Sequence, residues 1–391
     1  MFQAFFNGLS GLFSFSQGLN TVSNNVSNMN TPGFRGSDNV FQGVASSGQG
    51  GGGFGTQIAD VTLRTTQGEI RQTGTSTDMA INGSGLFLLR ADDGTVYYTR
   101  AGQFRIDDQG FLVDSATGHH VAGIDAAGNL FDINIASLRT LPPQPTTQVV
   151  LTGNLAPTSS SHSISSVQVY DALGNTHALS VAFTNTSAVT PNSWSVTVTD
   201  SAGTTVGTGE IRFAIDGSPL SGFNSITVTL TGPGTAQTIA LDFGTPGGYA
   251  GATLLAGATS SLGARVVDGR SVIGLTTVGV NDAGILQLQY SNGDTNQGPQ
   301  IALAHFADES VLRPSTGSLF SANDLTGRTL GRANASLFGR VVGGSLELSN
   351  VELTQEFADL IILQRGYQAS SRVLTVANEM VEQLYGNGGG R

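Results

Sequence analysis

A chain of 391 residues with 39% hydrophobic content is long enough for two or three domains with real cores, and too apolar for wholesale disorder. Its formal net charge of -11, with no lysine and scattered arginines, leaves no basic stripe for nucleic acid or an anionic membrane. The absence of cysteine excludes a disulfide framework, a thiolate nucleophile and a cysteine-ligated zinc.

The first stretch, MFQAFFNGLSGLFSFSQGL, is apolar but interrupted by Asn7, Gln17 and several Ser and Gly, and the first basic residue is Arg35. It fits neither a Sec signal peptide, which starts basic, nor a membrane span, which needs about 18 unbroken apolar residues. Steps of three and four residues pick out Phe2, Phe5, Leu9, Leu12, Ser16, Leu19, Ser23 and Val26. That heptad seam predicts a helix with a narrow stripe for another helix. Gly8, Gly11 and Gly18 each disfavour the helix by about 1 kcal/mol relative to alanine, so both termini are expected to order only on packing against neighbours. Residues 24–34, NNVSNMNTPGF, then end it. Asparagine side chains compete for the helical backbone, the residue before proline leaves the α region, and glycine permits positive φ.

Residues 46–55, SSGQGGGGFG, read as a flexible connector, since their glycine pattern lacks the strand and helix of a phosphate loop. From 78 to 124 short apolar runs alternate with turn pairs such as Asp93-Gly94, Gln109-Gly110 and Thr117-Gly118, which predicts a meander of antiparallel strands. TLPPQPTTQ, residues 140–148, separates it from a second β stretch rich in Val, Thr and Ile that runs to about 268, and further hairpins return the chain. Ser349 and Glu352 have capping-box spacing, and Leu353, Phe357, Leu360, Gln364, Tyr367, Ser371, Leu374, Asn378, Val381 and Tyr385 continue a second seam before Gly386. A helix from Asn350 to Tyr385 would be about 54 Å long at about 1.5 Å per residue.

Chemistry is sparse. His119, His120, His162, His177 and His305 lack metal-site spacing, and no Gly-x-Ser-x-Gly elbow exists. The pairs Asp92-Asp93 and Asp107-Asp108 sit in hairpin turns, where aspartate serves the backbone. No catalytic residue, cofactor or metal is expected.

The termini carry a resemblance. Ser23, Asn24, Asn25, Val26, Ser27, Asn28, Met29, Asn30, Thr31, Pro32, Gly33 and Phe34 resemble the N-terminal signature of the axial proteins of the bacterial flagellum, the rod, hook and hook-associated group. Ser349-Asn350-Val351-Glu352-Leu353 and Gln364-Arg365-Gly366-Tyr367-Gln368-Ala369 are similar to its C-terminal signature, Gly366 standing where a larger polar residue is commoner. DMAINGSGLFLL, YYTRAGQFRIDDQGFLV and VQVYDALGNTHALSVAF resemble the hook branch in particular, and the large insertion after the Pro-rich linker separates it from the distal rod branch.

The resemblance implies a structural subunit of a flexible tubular polymer that transmits motor torque from rod to filament and encloses an export channel. It also implies export through the flagellar apparatus without a cleaved signal. The expected fold is multidomain α+β, with long terminal helices pairing as a coiled-coil-like core around nested, mainly antiparallel β domains. Residues 1–70 and 341–391 would form the inner part, 71–147 and 271–340 the middle, and 148–270 an outer insertion. Phe5, Leu9, Leu12, Leu19, Val26, Leu353, Phe357, Leu360, Tyr367, Leu374 and Val381 are the expected self-assembly core. Asn24, Asn25, Asn28, Asn30, Thr31, Pro32, Gly33 and Phe34 form the signature turn, and Ser349, Asn350, Val351, Gln364, Arg365, Tyr367 and Gln368 the C-terminal signature. The implied partners are copies of the chain, the flagellar rod, hook cap and hook-filament junction proteins, and the export apparatus, with no nucleic acid and no membrane insertion. A polysaccharide-binding β-sandwich is the rival class, and it leaves the terminal helices without a purpose.

Overall fold

The computed structural model describes residues 2–44, 55–230, 236–257 and 259–388. Two helices, α1 (Phe2–Ser27) and α2 (Leu353–Gly388), bracket a chain that is otherwise mostly β. It divides into two compact units. One comprises Met1–Leu138, Thr276–Gln289 and Gly293–Arg391, the other Arg139–Leu275 and Tyr290–Asn292.

In the first unit α1 stops at the asparagine run. The amide of Asn28 donates to the carbonyls of Asn24 and Asn25, and its Nδ2 donates again to the Asn24 carbonyl at 3.0 Å. Strands β1 (Ser37–Gly43) and β2 (Thr56–Leu63) follow as an antiparallel pair with a bulge at Val40/Phe41. The glycine-rich run expected as a connector falls on 45–54, outside the described residues, apart from Gly55. On either side of it, Val44 N donates to Gly55 O at 3.0 Å.

The outgoing and returning legs of the chain share their sheets. Leu86–Arg90 pairs with Val96–Thr99, His120–Ile124 and Ala302–Phe306. Met79–Asn82 pairs with Arg340–Gly343, and Ile70–Gln72 with Ser345–Glu347. With Leu319–Ala322 on Val96–Thr99 as well, the legs are paired four times before α2 begins, around a core that includes Leu88, Tyr98, Phe306 and Phe320.

The second unit packs two sheets on one core. Ser161–Tyr170, Thr176–Asn185, Ser193–Thr199 and Thr205–Arg212 form an antiparallel sheet. In the other, Gln148–Asn154 lies parallel to Gln237–Asp242 and antiparallel to Gly263–Val266, and Ser225–Leu230 completes the far side. Alternation sends Phe183, Trp194 and Val196 of one sheet and Val149, Ile239 and Leu241 of the other into a shared interior.

One five-residue turn recurs at 91–95, 107–111, 125–129, 171–175, 200–204, 214–218 and 281–285. In each, the first residue's amide donates to the carbonyl of the fifth, and a glycine in fourth place donates back to the first. The aspartates Asp125, Asp171 and Asp200 also accept from the third and fifth amides, which is why aspartate opens the pattern.

Two helix-end expectations need correction. Ser349 forms no capping box: its Oγ accepts from Val351 N at 3.3 Å, and α2 starts at Leu353 with Glu356 in its first turn. The side chain of Asn350 is committed elsewhere, which fixes the chain upstream of the helix. Gly386 does not stop α2, which continues through it to Gly388. A helical glycine costs only about 1 kcal/mol and acts as a stop only where the chain turns left-handed.

Candidate functional site

The two helices meet along small residues. α1 is buried at Gly8, Gly11, Ser14, Gly18, Val22 and Asn25, at spacings of three and four. A Cβ on Gly8 would stand 3.3 Å from the Ser370 carbonyl oxygen, one on Gly18 would reach Leu363 at 2.9 Å, and one on Gly366 would strike the Phe15 ring at 2.6 Å. Bare Cα atoms therefore let the backbones approach closely. The other flank of α1 is tied to the hairpin: Ser14 Oγ donates to Thr56 O at 2.9 Å, and Thr21 Oγ1 to Asn39 Oδ1 at 3.0 Å.

This stripe is not the one drawn from hydrophobicity. Phe5, Leu9, Leu12, Leu19 and Val26 lie half-buried beside it, as do Leu360, Leu374 and Val381 on α2. Leu353, Phe357 and Tyr367 are exposed, while Glu356, Leu363 and Ala377 take the buried positions. Contact within one chain selects residues small enough for close approach, and the large apolar side chains are left at its margins. The side chains of Phe2 and Tyr385 lie outside the described residues.

Where α1 ends and α2 begins, the two signatures converge on a polar junction. Asn25 is fully buried; its Oδ1 accepts from Ser37 N at 3.0 Å, and its Nδ2 donates to Ser37 O at 2.9 Å and to the Glu356 carboxylate at 3.2 Å. Glu356, also fully buried, accepts from Arg64 Nη1 at 2.6 Å, and Arg64 reaches Asp38 with its other nitrogens. Asn350 accepts from Gly36 N at 2.8 Å and donates to the carbonyls of Arg64 and Thr66. One turn earlier, Gly33 N donates to Glu347 O at 2.8 Å, and the Glu347 carboxylate pairs with buried Arg100 at 3.0 Å and accepts from Gly68 N.

The remaining signature residues sit around this junction. Gly33 is buried with φ of 67°, and Thr31 Oγ1 donates to Asn28 Oδ1 at 3.1 Å. Pro32, Phe34, Ser349 and the amide-bearing Asn28 are half-buried, and Val351 is buried. Asn24 and Asn30 are exposed, as are Gln364, Arg365 and Gln368, which lie away from the junction along α2. Sequence reasoning missed Arg35, Arg64, Arg100, Glu347 and Glu356. For Arg35, Glu347 and Glu356 the signal was scarcity, since in a chain with 12% charged residues charges beside both signatures stand out; Arg64 and Arg100 lie far from either in the sequence.

Electrostatics explains the permanence of the junction. Hydrogen bonds to Asp38 and then Glu356 hold the Arg64 guanidinium above its usual value, against the effect of burial. Burial, and next the positive charge of Arg100, lowers that of Arg35, which donates to the carbonyls of Arg64 and Thr66. Removing one partner of such a buried pair strands the other, which typically costs about 3 to 5 kcal/mol. The groups bond to one another across distant parts of the chain, so the arrangement holds those segments in place.

Elsewhere the polar groups are also structural. His119 stacks on Tyr97, and His120, the first residue of its strand, stacks on Phe111. Asp93 Oδ1 accepts from Thr95 N and Asp107 Oδ1 from Phe111 N, the turn roles expected of them. Among the described residues no three His, Cys, Asp or Glu gather as a metal site, and no helix is long and apolar enough to cross a membrane.

Comparison with known proteins covers the same regions. Residues 6–35 match the flagella basal body rod protein family and 342–386 the C-terminal domain of the flagellar basal body rod FlgEFG proteins. Residues 80–154 match the D1 domain of the flagellar hook protein FlgE/F/G, and 139–307 the D2 domain of the flagellar basal body protein FlaE. The flagellar hook protein FlgE of Brucella suis is 31% identical over 96% of this chain and 96% of its own length. That of Salmonella typhimurium is 30% identical over 97% of this chain and 99% of its own. The crystal structure of the Helicobacter pylori flagellar hook protein FlgE2 aligns with a TM-score of 0.46 at 15% identity, over 71% of this chain and 100% of that one.

Proposed function

The chain belongs to the flagellar hook protein family, whose members are structural subunits of the bacterial flagellum, and from that premise we propose that it polymerises with copies of itself into a tube, α1 and α2 innermost. One observation carries the reading. Phe6 and Phe13 on α1, and Phe357, Ile361, Ile362, Val373, Val376 and Met380 on α2, are exposed large apolar side chains on helices already in contact with each other. A row of that kind is a surface for further helices, each side chain contributing about 1.5 to 3 kcal/mol when fully buried. Phe5, Leu9, Leu12, Leu19 and Val26 at the margin of the α1–α2 contact, with Leu353, Leu360, Tyr367, Leu374 and Val381, extend it as a coiled-coil-like core.

In the assembled tube the polar junction fixes the angle at which the helices leave the β part, so that load passes from core to outer domains through hydrogen-bonded backbone. Residues 1–70 and 341–391 act as the inner part, 71–147 and 271–340 as the middle, and 148–270 as the outer insertion. The tube transmits torque while bending and encloses the export channel. Its neighbours are the rod, the hook cap, the hook-filament junction proteins and the export apparatus, through which the chain leaves the cell without cleavage. It performs no catalysis and takes no cofactor. Negative staining of the concentrated chain, seeded with rod or hook fragments, tests this: tubes support the reading, and a chain that stays monomeric on authentic seeds contradicts it.

A further inference from the structure

The dipeptide Asn-Gly occurs at 7–8, 82–83, 292–293 and 387–388. This pair is prone to lose its side-chain amide, because glycine has no Cβ to hinder attack by its own nitrogen. The glycine nitrogen gives up its proton to water and bonds to the asparagine Cγ, the side-chain nitrogen leaves as ammonia, and water opens the resulting succinimide ring to aspartate or isoaspartate. The step needs a backbone nitrogen that is unbonded and free to swing. That requirement sorts the four sites.

Asn82 ends a strand on its pairing with Arg340, and Gly83 N donates to Gln67 Oε1 at 3.0 Å, so this pair is held within the folded first unit. Asn292 and Gly293 lie in an exposed turn, and the side chain of Asn387 is outside the described residues. Asn7–Gly8 is sealed by α1. Inside the helix Gly8 N belongs to the backbone ladder, and Gly8 is buried, a Cβ there standing 3.3 Å from the Ser370 carbonyl oxygen. Asn7 carries a second mark: its Oδ1 is buried and accepts no hydrogen bond. A neutral amide oxygen is tolerated in that position, whereas a carboxylate without a donor is far costlier to bury. Isoaspartate also adds one atom to the backbone, which shifts Gly8 out of register with Ser370.

We propose that Asn7–Gly8 is a deamidation site that is open in the free chain, closed on assembly and, once reacted, a bar to joining the polymer. The inference rests on the reading that α1 becomes ordered when copies pack together, and adds to it a fate for chains that remain unassembled. The free chain offers Gly8 N to Asn7, and a chain with Asn7 intact can bury that face of α1. Tubes are thereby built from unaged subunits, which stop ageing at this position once they are in place.

Free chain and tubes kept warm at mildly alkaline pH and then cut at Arg35 give the peptide 1–35, whose fragment masses locate conversion of Asn7, while isoaspartyl methyltransferase counts the iso form. A synthetic peptide of residues 1–20 is the unprotected reference. Asn7 of the free chain should convert within about threefold of the peptide's rate and in tubes at least about tenfold more slowly, with Asn82 intact in both. When aged and fresh free chain are mixed and seeded, sedimented tubes should hold several-fold less converted Asn7 than the supernatant. Asn7→Gln, whose longer side chain closes the ring poorly, should keep its assembly on ageing. Asn7 that stays intact in the free chain while the peptide reacts, or that converts equally in chain and tubes, overturns the gating. Converted chain that enters tubes as readily as fresh chain overturns the exclusion. Both results leave the polymer reading intact, because tubes have formed; fresh chain that forms no tubes on authentic seeds overturns that reading as well.

Discussion

Gly33 is held where only glycine is unstrained: its φ is 67°, and a Cβ there would collide with the backbone of Arg100 and Ala101. Gly33→Ala is expected to lower stability by about 2 to 4 kcal/mol, the sum of a left-handed penalty and overpacking, read from the urea midpoint. Asn25→Ala strands the amide of Ser37 and part of the Glu356 carboxylate and should cost about 2 kcal/mol, and Glu356→Ala about 3 kcal/mol. Acid acts on the turns. Hydrogen bonds from Asn175 and His177 hold the Asp171 carboxyl far below its usual value, the Asn129 side chain and then its amide lower Asp125, and Ser218 lowers Asp216. A carboxylate depressed in the folded state contributes stability above its unfolded value of about 4, and loses it as pH falls through the folded value. The urea midpoint should therefore drop between about pH 4 and pH 2, and Asp171→Asn should flatten that drop; a midpoint indifferent to acid contradicts the turn assignment. The asparagine run was legible as a helix stop from local chemistry. That Asn25 alone of the four is buried was not legible, because its partner Glu356 lies 331 residues away.

The helices were legible from apolar periodicity, and their contact face was not. Each carries more than one apolar row, while the contact within the chain sets Gly8 and Gly11 against Ser370, Gly18 against Leu363 and Gly366 against Phe15, and hydrophobicity does not mark the glycines. The glycines that handicap the isolated helix are thereby given a role. A stripe of glycine and serine removes little apolar surface from water, so α1 and α2 gain modestly from each other, and the exposed Phe13, Phe357 and Ile362 have more to gain from neighbouring copies. Hydrogen exchange should accordingly be near random-coil rates in the free chain over the parts of α1 and α2 away from the Asn25–Glu356 junction, about 1–20 and 363–385, and strongly slowed there in tubes. Strong protection in the free chain would show that the helix pair is stable alone. Gly11→Leu forces the helices apart at Ser370 and should abolish tube formation while Trp194 emission from the second unit is unchanged; tubes of normal length from this variant would show that close approach is dispensable.

At the scale of the molecule, the second unit, Arg139–Leu275 with Tyr290–Asn292, is a module with its own core, built on Trp194, Phe183 and Phe243. Replacing 148–270 by a short Gly-Ser bridge should leave the first unit folded by circular dichroism and protease resistance, with tubes of altered curvature; loss of folding would place the domain boundary inside a core. A Pro-rich linker and a run of alternating strands mark 148–270 in the sequence, whereas the compact unit takes in Arg139–Leu275 and Tyr290–Asn292, the last a piece that returns to it from far along the chain. The central claim is that the helices form the innermost layer and the second units the outermost. Electron cryomicroscopy of straight and curved tubes at side-chain resolution tests it directly. The account predicts α1 and α2 lining the channel, with spacing between second units shorter along the inside of a bend than along the outside; helices at the outer radius, or equal spacing around the bend, would contradict it.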